Sequence, residues 1–148
     1  MEKGEISSVI SKVLSSEYLG VLGTCRFGNP HTSLVAFAST PDLKNIIFAT
    51  TRSTRKFTNL KINPQVCILI DSRRNDVSDF RDAAAITVRG AAEEAVDREK
   101  EELLKIYLEK NPHLSDFVHS PDCAIVAIRV RKFDVATRFQ NLDIMLMK

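Results

Sequence analysis

From Tyr18 onward the apolar residues of this chain fall in short runs, each closed by turn-forming residues. None approaches the ~20 continuous apolar residues that a membrane-spanning helix requires. Runs of this kind have to hydrogen-bond to one another, so the chain must build an antiparallel sheet that closes on itself or stacks in layers. The strands predicted in this way are Tyr18–Cys25, His31–Ala38, Asn45–Thr50, Val66–Ile70, Ala84–Ala91, Cys123–Val130 and Phe133–Phe139. Arg26-Phe27-Gly28-Asn29-Pro30 and Thr40-Pro41-Asp42 supply turns between them. Val66–Ile70 reads as a strand buried on both faces, and Cys123–Val130 is the most hydrophobic of the set. Gly90 marks a bulge or a close backbone approach. The polar stretch 71–82 reads as a loop.

Three segments follow the helical period instead. Ile6, Val9, Ile10, Val13 and Leu14 share one stripe, which predicts an amphipathic helix over about residues 5–16 that lies against the sheet. A second helix follows Ser53, runs through Leu60 and stops at Asn63-Pro64. A third is capped by Asp97, carries Leu103, Leu104, Tyr107 and Leu108, and ends at Asn111-Pro112. With 148 residues, no internal repeat and no Gly/Ser/Pro-rich linker, the expectation is one domain over 1–148. It is mainly β (α+β), a six- to seven-stranded antiparallel barrel with peripheral helices.

Charge narrows the functional classes. The 21 basic and 19 acidic side chains nearly cancel, so a nucleic-acid partner is not expected, and neither is a membrane. The N-terminal residues do not have the pattern of a secretory signal. Cys25, Cys67 and Cys123 are scattered among apolar residues, with no C-x-x-C pair, and read as free thiols in a reducing, cytoplasmic compartment. His31, His113 and His119 are equally dispersed, and no metal site is expected. The acidic residues of 93–102 alternate with Arg98 and Lys100 and read as a solvated helix face.

One segment concentrates chemistry. Thr50-Thr51-Arg52-Ser53-Thr54-Arg55-Lys56 joins a strand end to a helix start and holds three cations and four hydroxyls. A phosphate dianion needs charge-assisted donors from several directions, and a helix N-terminus adds free N–H groups. The same composition also suits a solvated helix start, in which Ser and Thr cap and Arg and Lys face water. No glycine-rich phosphate loop, Gly-x-Ser-x-Gly or His-Glu-x-x-His motif is present. His31, at the start of a strand, is either a ligand-polarising group or an ordinary half-exposed side chain.

In order along the chain come Asn29-Pro30-His31, Ile47-Phe48-Ala49-Thr50, Ser53-Thr54-Arg55-Lys56, Asn59-Leu60-Lys61-Ile62-Asn63-Pro64, Val88-Arg89-Gly90 and Tyr107-Leu108-x-x-Asn111-Pro112. Over roughly residues 5 to 138 this resembles the pyridoxamine 5'-phosphate oxidase-like family of FMN-binding split β-barrels. The resemblance implies a phosphate-binding pair at Arg55 and Lys56, with Thr50, Thr51 and Ser53 beside it. It implies a ring-lining strand at Ser33, Leu34, Val35 and Ala36. It also implies a homodimer with the flavin at the interface. Where the oxidase has an arginine, a tyrosine and a glutamine, this chain has Ser33, Ala49 and Ala85, and after its last predicted strand it reads Arg138-Phe139-Gln140-Asn141, with no Arg-x-His motif. The implied function is an FMN-dependent oxidoreductase acting on a small-molecule substrate or electron donor other than the B6 vitamer. The alternative is a non-catalytic flavin or haem carrier or sensor, with His31, His113 or His119 as the haem-ligand candidates. Deazaflavin and haem are the alternative cofactors that other branches of the fold bind.

Overall fold

The computed structural model describes residues Met1–Lys148. The chain begins with α1 (Lys3–Ser16), β1 (Leu19–Arg26), β2 (Asn29–Ser39), β3 (Asn45–Thr51), α2 (Arg55–Ile62) and β4 (Gln65–Asp71). It continues through α3 (Asp79–Asp82), β5 (Ala84–Glu94), α4 (Asp97–Lys110), a 3₁₀ turn (Pro112–Leu114), α5 (Ser115–Val118), β6 (Cys123–Thr137) and β7 (Asn141–Leu146). All neighbouring strands are antiparallel, in the order β3-β2-β1-β4-β5-β6-β7, and β3 pairs again with β6. Six strands therefore close into a barrel, and β7 is an extra strand attached to β6.

The alternation of each strand sends one set of side chains inward. Leu22, Phe37, Phe48, Ile68, Val126 and Phe133 meet in the main core. The apolar stripe of α1 joins them through Ile6, Ile10, Val13 and Leu14. Glu2 gives this helix no side-chain cap. Each buried aliphatic side chain contributes ~1.5–3 kcal/mol, against about 1 kcal/mol for a cap, so burial holds α1 in place. A second, smaller core lies outside the barrel wall, where Leu103 and Tyr107 of α4 and Val118 of α5 cover Ile47, Ala49, Ile125 and Ala127.

Two local features shape the wall. Phe27 (φ 52°) and Gly28 (φ 79°) both take left-handed conformations, the geometry of a two-residue type I′ turn, and Arg26 and Asn29 face each other across it. At Gly90 the β5–β6 register shifts, and a Cβ there would lie 2.2 Å from the Arg129 carbonyl oxygen. Only glycine lets the two backbones approach so closely.

Several expectations are corrected. Cys123–Val130 and Phe133–Thr137 are one strand, because Lys132 pairs with Arg89 and Leu146 and Arg131 is the extra residue of a bulge opposite Arg89 and Gly90, which shifts the register without ending the strand. That strand stops at Thr137, since Arg138 (φ 49°) and Phe139 (φ 68°) form the turn into β7. The strand β7 was not expected from the sequence, because its apolar Leu142, Ile144 and Leu146 point outward and only Met145 is buried. In β4, Val66, Ile68 and Ile70 are buried but Cys67 and Leu69 are not, because no helix covers its outer face. Asp97 does not cap α4: it is the first residue of that helix, with φ 55°, and no side chain caps it. The polar stretch 71–82 contains the short helix α3, and α1 starts earlier than predicted, at Lys3.

Candidate functional site

The end of β3 and the start of α2 stand beside β2, and together they shape a pocket of about 360 Å³. Leu34, Val35 and Ala36 of β2 line one wall, with Ala49 behind them and Leu114 and Phe117 from the segment after α4 opposite. Thr50, Thr51, Thr54 and Lys56 make its polar end. The pocket is thus an apolar slot with hydroxyls and one ammonium at its end.

The hydroxyls are tied into the turn. Thr50 Oγ1 and Thr54 Oγ1 lie 2.8 Å apart, and both lie within hydrogen-bonding distance of the Thr51 carbonyl, at 3.1 and 3.0 Å. Thr54 is the N-cap of α2 and accepts from the Phe57 amide at 3.4 Å. Lys56 differs from them. Burial alone holds its ammonium below the usual lysine range, with no carboxylate beside it. A half-buried, unpaired cation is costly and favours an anionic partner.

The slot is braced from behind by α4. Tyr107 Oη donates to the Ala36 carbonyl at 3.2 Å, and buried Asn111 donates from Nδ2 to the Phe37 carbonyl at 3.2 Å. Burial pushes the Tyr107 phenol up to about 12, so it stays a neutral donor. Neither bond follows from local sequence, since Tyr107 and Ala36 are 71 positions apart.

The residues predicted for the site separate into groups. Leu34, Val35, Ala36, Thr50, Thr51 and Lys56 line the slot. Ser33 does not: it stands one residue before this wall, and its Oγ is buried without a hydrogen-bond partner. Ser53 is exposed and lines neither this cavity nor the next. Arg55 lines a different cavity of about 260 Å³, with Arg26, Asn29, Pro30, His31 and Asn59. Arg52 leaves the cation cluster altogether: it donates to Glu94 at 2.6 Å and to the Pro121 carbonyl at 3.0 Å. The three-cation cluster of the sequence therefore resolves into one paired arginine and two cations in separate cavities.

The acidic residues of α4, Asp97, Glu99, Glu101 and Glu102, are exposed as expected of a solvated helix face, whereas Glu93 and Glu94 lie at the end of β5. Glu94 holds Arg52, and Glu93 and Glu99 both hold Arg129, at 2.6 and 2.7 Å. Of the histidines, His113 and His119 are exposed, and His119 Nδ1 lies 2.7 Å from the Ser115 carbonyl. Sequence reasoning missed Leu114 and Phe117, which sit in a stretch given no element, and Arg26, whose position beside a type I′ turn was its only signal.

A larger cavity, about 690 Å³, lies elsewhere, on the outer face of β4, β5 and the end of β6. Leu69, Ala84, Ala85 and Ala136 form its floor, and Phe80 and Phe139 its wall, their rings edge-to-face with centroids 5.0 Å apart. One row of the sheet joins this region to the slot. Reading across the register, Leu34 pairs with Val21, Val21 with Leu69, Leu69 with Thr87, Thr87 with Asp134 and Asp134 with Ile144.

Comparison with known proteins agrees with this architecture. No curated protein sequence matches the chain. Among solved structures, the heme binding protein from Mycobacterium smegmatis superposes with a TM-score of 0.81 at 18% identity, over 90% of this chain and 55% of that one. This chain therefore spans about half of that protein's length. General Stress Protein 26 from Bacillus anthracis gives a TM-score of 0.74 at 20% identity, over 97% and 99% of the two chains. A FAD-binding protein from Mesorhizobium loti gives 0.70 at 18% identity, over 87% and 90%. At such identities these likenesses establish the fold alone. The sequence model for pyridoxamine 5'-phosphate oxidase matches residues 6–135, from the stripe of α1 through nearly all of β6. With the barrel closed by β3 and β6 as described, the chain belongs to the pyridoxamine 5'-phosphate oxidase-like split-barrel family.

Proposed function

We propose that the protein is an FMN-dependent oxidoreductase that holds the flavin in the slot between β2 and the start of α2. The observation that carries this reading is the unpaired, half-buried ammonium of Lys56 at the polar end of an otherwise apolar slot. A flat aromatic ring with a phosphorylated tail matches both parts: the ring against Leu34 and Ala36, the phosphate toward Thr51 and Lys56. Bound there, FMN supplies the electron-accepting chemistry, and the chain supplies position and charge. Tyr107 and Asn111 fix the backbone of β2, so the ring-facing wall is rigid. The slot is open on the side of Leu34, which is 64% exposed. We assign that side to a second copy of the chain, in a homodimer related by a twofold axis. Leu34 lies in the same sheet row as Leu69 and Ile144, with Thr87 and Asp134 between the last two, so one mixed face, apolar at its ends, serves both the slot and the pairing.

A flavin carrier without turnover is the second reading. It draws support from the absence of a carboxylate or histidine among the residues that line the slot. Haem fits less well, since the cavity holding His31 has no hydrophobic lining for a macrocycle. The reading is tested by titrating FMN and riboflavin into the purified protein. Losing a charged hydrogen-bond partner costs ~1.5–3 kcal/mol, so Lys56→Ala should weaken FMN about 10- to 150-fold and leave riboflavin nearly unchanged. Equal FMN affinity in Lys56→Ala and wild type would remove the phosphate from this position. Turnover of FMN-loaded protein with a reduced nicotinamide separates enzyme from carrier. Oxidation of pyridoxamine 5'-phosphate is expected to be negligible, given Ser33, Ala49 and the missing Arg-x-His motif.

A further inference from the structure

We propose that the cavity of about 690 Å³ on the outer face of β4, β5 and the end of β6 is a binding site for a flat aromatic cation. Small-molecule sites are concave, mostly apolar and ~300–1,000 Å³ in volume, with a few polar groups that set specificity. Here Ala84, Ala85 and Ala136 leave room above the sheet, and Leu69 completes the floor. The rings of Phe80 and Phe139 stand beside it, edge-to-face, yet 60% and 64% exposed. Phe139 takes this place with φ 68°, a left-handed conformation that bulky residues rarely adopt. Glycine would make that turn at lower cost, and strain of this kind gathers at ligand clamps.

The rim sets the sign of the ligand. Asp71, Asp76 and Asp79 line the cavity with a single cation, Arg73, whose Nε lies 3.1 Å from Asp71 Oδ1. Asp76 and Asp79 take part in no salt bridge. Asp79 accepts from the Arg74 amide at 2.9 Å and from the Asp76 amide at 3.1 Å, so the loop itself fixes the rim. The Arg74 amide also holds the Asp79 carboxyl below the usual aspartate range, and it stays ionised at neutral pH. A phosphorylated or carboxylated ring is repelled here, whereas a cation gains from the carboxylates and from the faces of the phenylalanines. The slot has the opposite polarity, since Lys56 is the one charged residue in its lining. Two cavities on one barrel thus sort flat ligands by charge, and this one needs no flavin in the other.

The probe is proflavine, a flat three-ring cation at neutral pH, titrated into the full chain and followed by fluorescence anisotropy. Anthracene-2-sulfonate, a flat three-ring anion, is titrated beside it. Proflavine should saturate at one site per chain, and the anion should bind about 10-fold more weakly or not at all. Phe80→Ala and Phe139→Ala should each weaken proflavine about 2- to 30-fold, the range for one cation–ring contact. Asp76→Asn, which keeps an acceptor and drops the charge, should cost about 2- to 5-fold, as for an exposed ion pair. Phe27→Ala, which removes an exposed ring from the β1–β2 turn, should bind like wild type. If loss of a cavity ring disturbs folding, Ala85→Leu, which fills the floor, should weaken proflavine to a similar degree. No binding by wild type, equal affinity for cation and anion, or wild-type affinity in both Phe80→Ala and Phe139→Ala overturns the site. So does an affinity that falls as the protein is concentrated, which would give the cavity to a second copy of the chain.

Discussion

Along β6, Cys123–Ile128 are buried on both faces, whereas beyond Arg129 burial alternates, with Phe133 and Val135 inside and Lys132, Asp134 and Ala136 half-exposed. The strand is continuous, so the difference lies in what stands outside it. The first half is covered by Leu103, Tyr107 and Val118. The second half, with β4, β5 and β7, carries only the four-residue α3 at one end of its outer face, and leaves Leu142 and Leu146 63% and 64% exposed. One barrel wall therefore has a finished side, which braces the slot, and an unfinished side, which we assign to the second copy.

The largest expected effect tests the finished side. Tyr107 is 1% exposed and spans α4 and β2. Truncating a buried aromatic typically costs ~3–5 kcal/mol. Urea unfolding of Tyr107→Ala should show a loss of that size, while Ile144→Ala on the unfinished side should stay within about 0.5 kcal/mol in the isolated monomer. Equal losses at the two sites would erase the distinction.

Next in size is a charge placed on the unfinished side. Ile144→Asp should leave the monomer folded and shift a monomer–dimer equilibrium toward monomer, as read by sedimentation over a dilution series. FMN should oppose that shift in wild type, because a ligand touching both copies favours their association. Tight FMN binding by a monomeric Ile144→Asp would confine the flavin to one chain.

Cysteine chemistry sharpens the same contrast. Cys123 is buried beneath the helical cover, and burial pushes its thiol up, whereas Cys67 is half-buried on the unfinished side. The reactive species is the thiolate, so a thiol-specific reagent should modify Cys67 well before Cys123 in dilute protein. At concentrations where two copies pair, Cys67 should slow and Cys123 should not change.

The smallest effect concerns the junction of α1 and α4. Lys110 Nζ donates to the Leu14 carbonyl at 2.8 Å and lies 3.6 Å from the centre of the Phe37 ring. Burial lowers its ammonium to about 8, against the partial support of Glu17. Between about pH 8 and the ordinary lysine value of 10.5, the unfolded chain then binds more protons than the folded one. Stability from this group must rise with pH across that window, because the penalty for burying the charge is lifted. Thermal melts of wild type and Lys110→Met should therefore diverge in favour of wild type as pH rises from 8 to 10. A difference that is flat with pH would leave Lys110 without a buried charge.

Much of the frame was legible before any coordinates. The stripe of α1, the turn residues that separate β1, β2 and β3, and Gly90 at the bulge all follow from spacing, since each depends on neighbours a few residues away. Where a strand is half-covered, spacing misleads. It made Val66–Ile70 doubly buried, and it hid β7, whose apolar residues face outward.

By itself the sequence determined the barrel, its family and the segment at Thr50–Lys56 where polar chemistry meets an apolar strand, because periodicity, turns and caps are local properties. Only the tertiary structure decided which of those cations is free. Arg52 is neutralised by Glu94, 42 positions away; Arg55 joins Arg26 across the β1–β2 hairpin; Lys56 alone faces the slot. The physical reason is that a side chain's charge is local, but its partner and its burial are set by strands and helices distant in sequence.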